Sequence, residues 1–317
     1  MKSFLLILVF IVVPSAPTPV QQDTQGKRRQ EQNVDSAHYF DIVPEDSGVC
    51  IRVTSEEGLY RFVSDGSASI CGLYIIADPE HVLEIEVETL DISCSGGGLL
   101  AIIDGWELNG QFFPGEDHPK PLSDRFVEIC GHSTSWKPFR TELNVALIQF
   151  LVPTLGEGFS VSVRFLQNFQ PCNAVIQWPK GIYTLRNNGR AINCSVAFIT
   201  KPERFRLLAA EVGGTGMGRP SVNLETGVIY KCKERGFTDY VEVKGGGGID
   251  PDNMLEAVNV CGTFSVPSKT PIDVLCNSSV IRLVSSGRYK NSVTVSFEML
   301  TEENLTTGKF SLVCEIV

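Results

Sequence analysis

With four histidines, no CxxC pair and no HExxH spacing, the chain lacks the usual zinc ligand sets, and the missing CxxC also removes thioredoxin-like redox chemistry. Basic charge is short as well. Lys and Arg number 27 against 37 Asp and Glu, a formal net charge of −10, so neither nucleic acid nor an anionic membrane surface is a natural partner. Beyond the first residues, no apolar run is long enough for insertion into a membrane; the nearest, Val145 to Val152, is interrupted by Gln149. No segment keeps a helical apolar period over successive turns, which argues against a helical architecture. The nucleophile-like stretch Glu45-Asp46-Ser47-Gly48 lacks flanking glycines, and no His and Asp complete a triad motif. Gly213-Gly214-Thr215-Gly216-Met217-Gly218 does not have GxGxxG spacing. His118 and His132 are expected in surface loops. Catalytic residues, metal ligands and cofactors are therefore all expected to be absent, and the chain is read as a non-enzyme.

What is present begins with an export signal. Lys2 precedes the apolar run Phe4 to Val13, and Pro14-Ser15-Ala16 breaks it with a small residue for cleavage. Residues 1–16 are read as a signal peptide and the protein as secreted and extracellular. Residues 17–45, rich in Gln, Pro and charge, are read as a flexible arm. Lys27-Arg28-Arg29 within it resembles a processing site, but a charged solvated segment is the simpler reading.

From Cys50 the pattern is strand and turn. Leu83, Ile85 and Val87 alternate with Glu84, Glu86 and Glu88, as Phe159, Val161, Val163 and Phe165 do with Ser160, Ser162 and Arg164, and Val293, Val295 and Phe297 with Thr294 and Ser296. Asp78-Pro79, Ser95-Gly96-Gly97-Gly98, Asn187-Asn188-Gly189 and Gly245 to Gly248 supply the turns. The class is all-β.

The cysteines repeat. Cys50, Cys71, Cys94 and Cys130 are separated by 20, 22 and 35 residues, and Cys172, Cys194, Cys232 and Cys261 by 21, 37 and 28. Glycine follows each fourth cysteine, as Gly131 and Gly262. A repeat of about 120 residues marks a duplicated domain, placing one module over residues 46–168 and another over 169–317. Ten cysteines in an exported chain argue for five disulfides. Many connectivities are open to them. Equivalent modules should pair equivalently, and the economical solution is Cys50–Cys71, Cys94–Cys130, Cys172–Cys194 and Cys232–Cys261, leaving Cys276 for Cys314. Each bridge closes a loop worth on the order of 3–4 kcal/mol. Asn193-Cys194-Ser195, Asn277-Ser278-Ser279 and Asn304-Leu305-Thr306 are glycosylation triplets, so Asn193, Asn277 and Asn304 are candidate attachment sites.

Asp104-Gly105-Trp106-Glu107-Leu108-Asn109-Gly110, Phe113-Pro114 and Asp117-His118-Pro119-Lys120-Pro121 are similar to the DGWxLxG…FP…DHPxP stretch of the corticotropin-releasing factor-binding protein family. Val284-Ser285-Ser286-Gly287, Asn291 and Val293-Thr294 resemble its VSSGxxxNxVT segment, and Asn193-Cys194-Ser195 looks like its glycosylation site. All ten cysteines fit its consecutive pairing, so the resemblance runs from Cys50 to Cys314. It implies two tandem CUB-like antiparallel β-sandwich modules, stapled by disulfides. It also implies a carrier that sequesters corticotropin-releasing-factor-like peptide hormones, diuretic-hormone-like in an arthropod, and limits receptor activation. Such ligands are amphipathic helices suited to an apolar groove. The family associates ligand contact with a basic residue before the first cysteine and an acidic one after it. Here the signs are reversed: Glu45 and Asp46 precede Cys50 and Arg52 follows it, making Asp46 and Arg52 the expected contacts. An extracellular CUB-type adaptor in matrix or protease assembly is the alternative. Many CUB modules bind calcium through an acid in a DYxEI-type strand. Asp239-Tyr240-Val241-Glu242-Val243 keeps that acid, whereas Gly98-Leu99-Leu100-Ala101-Ile102 does not, so calcium is not expected in the first module and stays open in the second.

Overall fold

Alternating side chains become strands wherever one face can be buried. Leu83, Ile85 and Val87 are at most 4% exposed. Glu84 on the other face is also buried, because Arg140 and Arg164 both close on its carboxylate, the latter at 2.8 Å. The computed structural model describes residues 38–42, 50–133, 136–200, 202–213, 225–307 and 309–314. The signal peptide, Lys27-Arg28-Arg29, the catalytic-looking stretch with Glu45 and Asp46, and Gly214 to Gly218 lie outside the described residues.

The first module opens with β1 (Tyr39–Asp41), β2 (Ile51–Thr54), β3 (Gly58–Val63), β4 (Ile70–Ile76), β5 (His81–Ile92) and β6 (Leu99–Asp104). A small hairpin, β7 (Trp106–Leu108) and β8 (Gln111–Phe113), follows. Then come β9 (Phe126–Ile129), β10 (Gly131–Ser133), β11 (Phe139–Arg140), β12 (Val145–Leu151) and β13 (Gly158–Gln167). One sheet has the order β1-β3-β13-β5-β10, with β11 also on β5; its partner is β2-β4-β12-β6-β9.

The second module repeats this plan. It contains β14 (Ala174–Ile176), β15 (Lys180–Arg186), β16 (Cys194–Phe198), β17 (Glu203–Val212), β18 (Ile229–Tyr230) and β19 (Tyr240–Gly246). After these come β20 (Leu255–Phe264), β21 (Ile272–Leu275), β22 (Ser278–Val284), β23 (Ser292–Met299) and β24 (Leu312–Val313). The order β14-β16-β22-β19-β20 matches β2-β4-β12-β6-β9 position for position. Two tandem CUB-like sandwiches result. Their pairing is antiparallel except at four short contacts, β1 with β3, β2 with β4, β14 with β16 and β21 with β24.

The Cys-Gly dipeptides are corners. Chain leaving β9 at Cys130 enters the other sheet as β10, and β20 passes from β19 to β17 at Cys261-Gly262. Gly131 and Gly262 take φ of 100° and 106° there, where only glycine is unstrained. The disulfides join Cys50 to Cys71, Cys94 to Cys130, Cys172 to Cys194, Cys232 to Cys261 and Cys276 to Cys314.

Each sandwich has its own apolar core, and a third core joins them. The outer face of β4, β6 and β12 contributes Ile76, Ile103, Val145 and Leu147; facing them are Val175, Ala197 and Val280, with Ile249 and Met254. The described residues accordingly form one compact unit.

Two expectations are corrected. Gly245 and Gly246 belong to β19 rather than to a turn, because β19 runs so close beneath Val274 and Cys276 that a Cβ on Gly245 would lie 2.6–2.7 Å from them. His118 is buried, not a surface residue: its Nδ1 accepts the Lys120 N–H at 2.9 Å, and Nε2 lies 3.3 Å from Asp104 without hydrogen-bond alignment. A six-residue helix, α1 (Glu302–Thr307), interrupts the β pattern. Thr301 and Asn304 cap it reciprocally, Thr301 Oγ1 donating to Asn304 Oδ1 at 2.9 Å and accepting the Asn304 N–H at 3.4 Å.

Candidate functional site

β2 is the edge strand of its sheet, and its side chains alternate across it. Arg52 is in register with Leu73 and Val53 with Tyr74. Leu73 points into the sandwich core, so Ile51 and Val53 point outward with Tyr74, onto the face that the second module covers only in part. They remain 56% and 58% exposed.

Beside them is a groove of about 330 Å³ at the seam of the two modules. Ile51, Val53, Tyr74, Trp106 and Leu108 line it from the first module, and Ile199, Gly247, Ile249, Asn277 and Ser278 from the second. Its walls are held rigidly. Trp106 Nε1 donates to Ile75 O at 3.2 Å, Tyr74 Oη donates to Glu107 O at 2.8 Å, and the two rings meet edge to face at 5.5 Å. With both polar tips satisfied by backbone, apolar ring surface is left for a ligand. Burial, with Glu107 adding to it, raises the Tyr74 phenol above its ordinary value, keeping it a neutral donor. Leu108 stands on the rim because the β7–β8 hairpin turns through Asn109-Gly110, both at positive φ. Gln111 seats that hairpin on the second module by accepting the Asp250 N–H at 3.3 Å.

Arg52 is placed elsewhere. It projects from the opposite face of β2, donating to Asp41 O at 3.0 Å, its guanidinium carbon 5.7 Å from the Phe40 ring centroid. The groove was missed in the sequence because exposed Ile51 and Val53 look like core residues until the edge position of β2 is known.

The Asp-His-Pro-Lys motif does not line this groove; it builds the joint beneath. Asp117, 5% exposed, reaches into the second module, where Arg282 donates to it twice, at 2.6 and 2.7 Å. Ser195 Oγ and Asn193 Nδ2 complete its shell at 2.6 and 3.0 Å. Burial opposes the Arg282 charge, but Asp117 and then Glu242 outweigh it and push its pKa upward. Asp104 accepts the Glu142 N–H at 2.9 Å and the Lys120 ammonium at 3.3 Å.

Asp239 is held by hydrogen bonds. Both oxygens are engaged, by the Ser286 N–H and Thr238 Oγ1 on one side and by Asn291 Nδ2 at 2.6 Å on the other. Burial works against its ionised form, yet these hydrogen bonds prevail and hold it below the usual carboxylate range. Among the described residues no group of three acidic, His or Cys side chains has metal-binding geometry, and no helix is long and apolar enough to cross a membrane. Of the glycosylation candidates, Asn277 lines the groove, Asn193 lies in the joint and Asn304 caps α1.

Comparison with known proteins matches residues 44–167 to the N-terminal domain model of corticotropin-releasing factor binding protein and residues 174–306 to the C-terminal domain model. The human corticotropin-releasing factor-binding protein is 32% identical over 255 residues, covering 79% of this chain and 75% of that protein. The Xenopus laevis protein of the same name is 32% identical, covering 80% and 77%. Among solved structures, the CUB1-EGF-CUB2 domains of rat MASP-1 align over 78% of this chain and 99% of that one, at 13% identity and a TM-score of 0.26.

Proposed function

The chain belongs to the corticotropin-releasing factor-binding protein family, and from that premise we propose that it is a secreted, non-enzymatic carrier. It binds a corticotropin-releasing-factor-like peptide hormone and withholds it from receptors. The observation that supports this reading is the groove: rigid aromatic walls, aliphatic rims from both modules, and no charged side chain among its lining residues. Such a surface suits the apolar face of an amphipathic helix. Arg52, across the edge strand, then belongs to the rim, where it meets a charge of opposite sign on the ligand; Asp46 is proposed as a second ligand contact.

Calorimetric titration with a synthetic diuretic-hormone-like peptide of the corticotropin-releasing-factor type is expected to give a dissociation constant below ~1 μM, or about −8 kcal/mol. Ile51→Asp puts a carboxylate into the groove and is expected to weaken binding about a hundredfold, while Arg52→Glu weakens it about tenfold through a more exposed contact. Loss with Arg52→Glu but none with Ile51→Asp would move the site to the other face of β2. No saturable binding would end the carrier reading.

Asn304 and Asn193 are the proposed glycan sites. A glycan leaves Asn193 Nδ2 one hydrogen, enough for its bond to Asp117. A glycan on Asn277 would fill the groove, so ligand-competent protein is expected to leave it bare. Glycosidase gel shifts of each Asn→Gln variant check this: Asn304→Gln should abolish one shift and Asn277→Gln none.

A further inference from the structure

An apolar groove fixes a ligand's orientation only through a few polar groups placed beside it, and the two modules offer a comparison that shows where such groups lie. Along a strand, the N–H and C=O of one residue point to one side and those of the next to the other. Gly72 N–H donates to Cys50 O at 2.8 Å, so Cys50 and Arg52 face β4 while Ile51 and Val53 present their main-chain groups to the open edge. Among the described residues nothing meets them. The equivalent edge in the second module is β14. Val53 stands three residues beyond Cys50, opposite Tyr74, which is three beyond Cys71; Val175 is likewise three beyond Cys172, opposite Ala197, three beyond Cys194.

Val175 is not left open. Asn144 of the first module places its carboxamide against it, Oδ1 accepting the Val175 N–H at 2.9 Å and Nδ2 donating to Val175 O at 2.8 Å. Asn144 is 1% exposed, and its second Nδ2 hydrogen goes to Ala77 O at 2.7 Å. A side-chain amide thus substitutes for a neighbouring strand at one edge, while among the described residues the same position at the other has no partner.

We infer that the bound peptide closes this ring on the first module: a primary carboxamide of the ligand accepts the Val53 N–H and donates to Val53 O while its apolar face fills the groove. The inference rests on the carrier reading and names the group the site selects. A carboxylate lacks the donor and an ammonium the acceptor, whereas a carboxamide carries both side by side. An extended ligand strand fits less well, because β2 has four residues and only two face outward. The carboxamide comes either from an Asn or Gln side chain or from an amidated C-terminus.

Amide exchange of the full-length protein, read residue by residue with and without a saturating synthetic diuretic-hormone-like peptide of the corticotropin-releasing-factor type, tests the contact directly. The Val53 amide is expected to exchange freely in the unbound protein and at least tenfold more slowly in the complex, with Arg52 slow in both. Val53→Pro removes an outward N–H, which an edge strand tolerates, together with the isopropyl group that lines the groove, and should weaken binding at least tenfold. Peptides with each primary carboxamide replaced in turn by carboxylate then identify the source. Loss on changing a side chain assigns Asn or Gln, loss on changing the terminus assigns the C-terminal amide, and either loss should vanish in the Val53→Pro background. Saturable binding with a Val53 amide still fast, or with no carboxamide mattering, overturns the inference alone. Absence of saturable binding removes the carrier reading and the inference together.

Discussion

Asp117→Ala is expected to destabilise the protein by about 3–5 kcal/mol, because it strands Arg282 in a largely buried site. Arg282 would keep Glu242 at 3.3 Å, but Glu242 already accepts Lys233 at 3.0 Å, so one carboxylate would serve two cations. Ser195, fully buried, would lose the acceptor of its hydroxyl as well. Urea unfolding followed by tryptophan fluorescence measures the loss, and proteolysis between residues 168 and 172 should accelerate as the joint loosens. Asp117→Asn preserves shape without charge and should cost less. Pairing Asp117→Leu with Arg282→Met should recover much of the stability, since an apolar pair in place of a buried ion pair is often neutral. A loss below about 1 kcal/mol for Asp117→Ala would mean that the apolar core between the modules holds the joint without it.

Glu203→Gln works in the opposite direction. Glu203 shares the inward face of β17 with Phe205 and Leu207 and is fully buried. Thr200 Oγ1 donates to its Oε1 at 2.6 Å, and among the described residues Oε2 has no partner. Burial raises its pKa from 4.5 to about 7, against the smaller opposing effect of Thr200. A carboxyl with a higher pKa in the folded than in the unfolded state favours folding only while protonated. Its contribution is complete below about pH 4.5 and is lost as the pH rises through about 7. The full span is worth about 3 kcal/mol. Glu203→Gln should therefore unfold like wild type at pH 4.5 and be more stable by up to about 3 kcal/mol at pH 8. A variant–wild-type difference that does not change between those pH values would mean that Glu203 ionises normally in the fold.

The local pattern carried far into the structure. Period-two runs such as Leu83 to Glu88 gave strands because burial of one face needs no knowledge of the partner. The matched cysteine spacings gave the modules, and Cys130-Gly131 and Cys261-Gly262 marked corners whose meaning appeared only with the two sheets in place. What stayed hidden depends on pairings far apart in the chain. Asp117 and Arg282 are 165 residues apart, and neither signals that it will be buried. His118 looked like a surface residue for the same reason. The groove was invisible because it consists of ordinary aliphatic and aromatic residues made special by the partial overlap of two sheets. Only α1 had a local signal that was passed over, Thr301 with Asn304 three residues on and two glutamates between.

An open strand edge is also an edge ready for another copy of the same molecule. Main-chain groups that are unpaired among the described residues, flanked by exposed Ile51 and Val53, are the features that seed strand-to-strand self-association. The counter-measures are in the same four residues: β2 is short, Arg52 charges its other face, and Thr54 at its end is already buried. β14 needs none of these, since Asn144 covers it, and its three residues are wholly apolar and buried. Solubility of the unliganded protein thus limits how long and how apolar β2 can become.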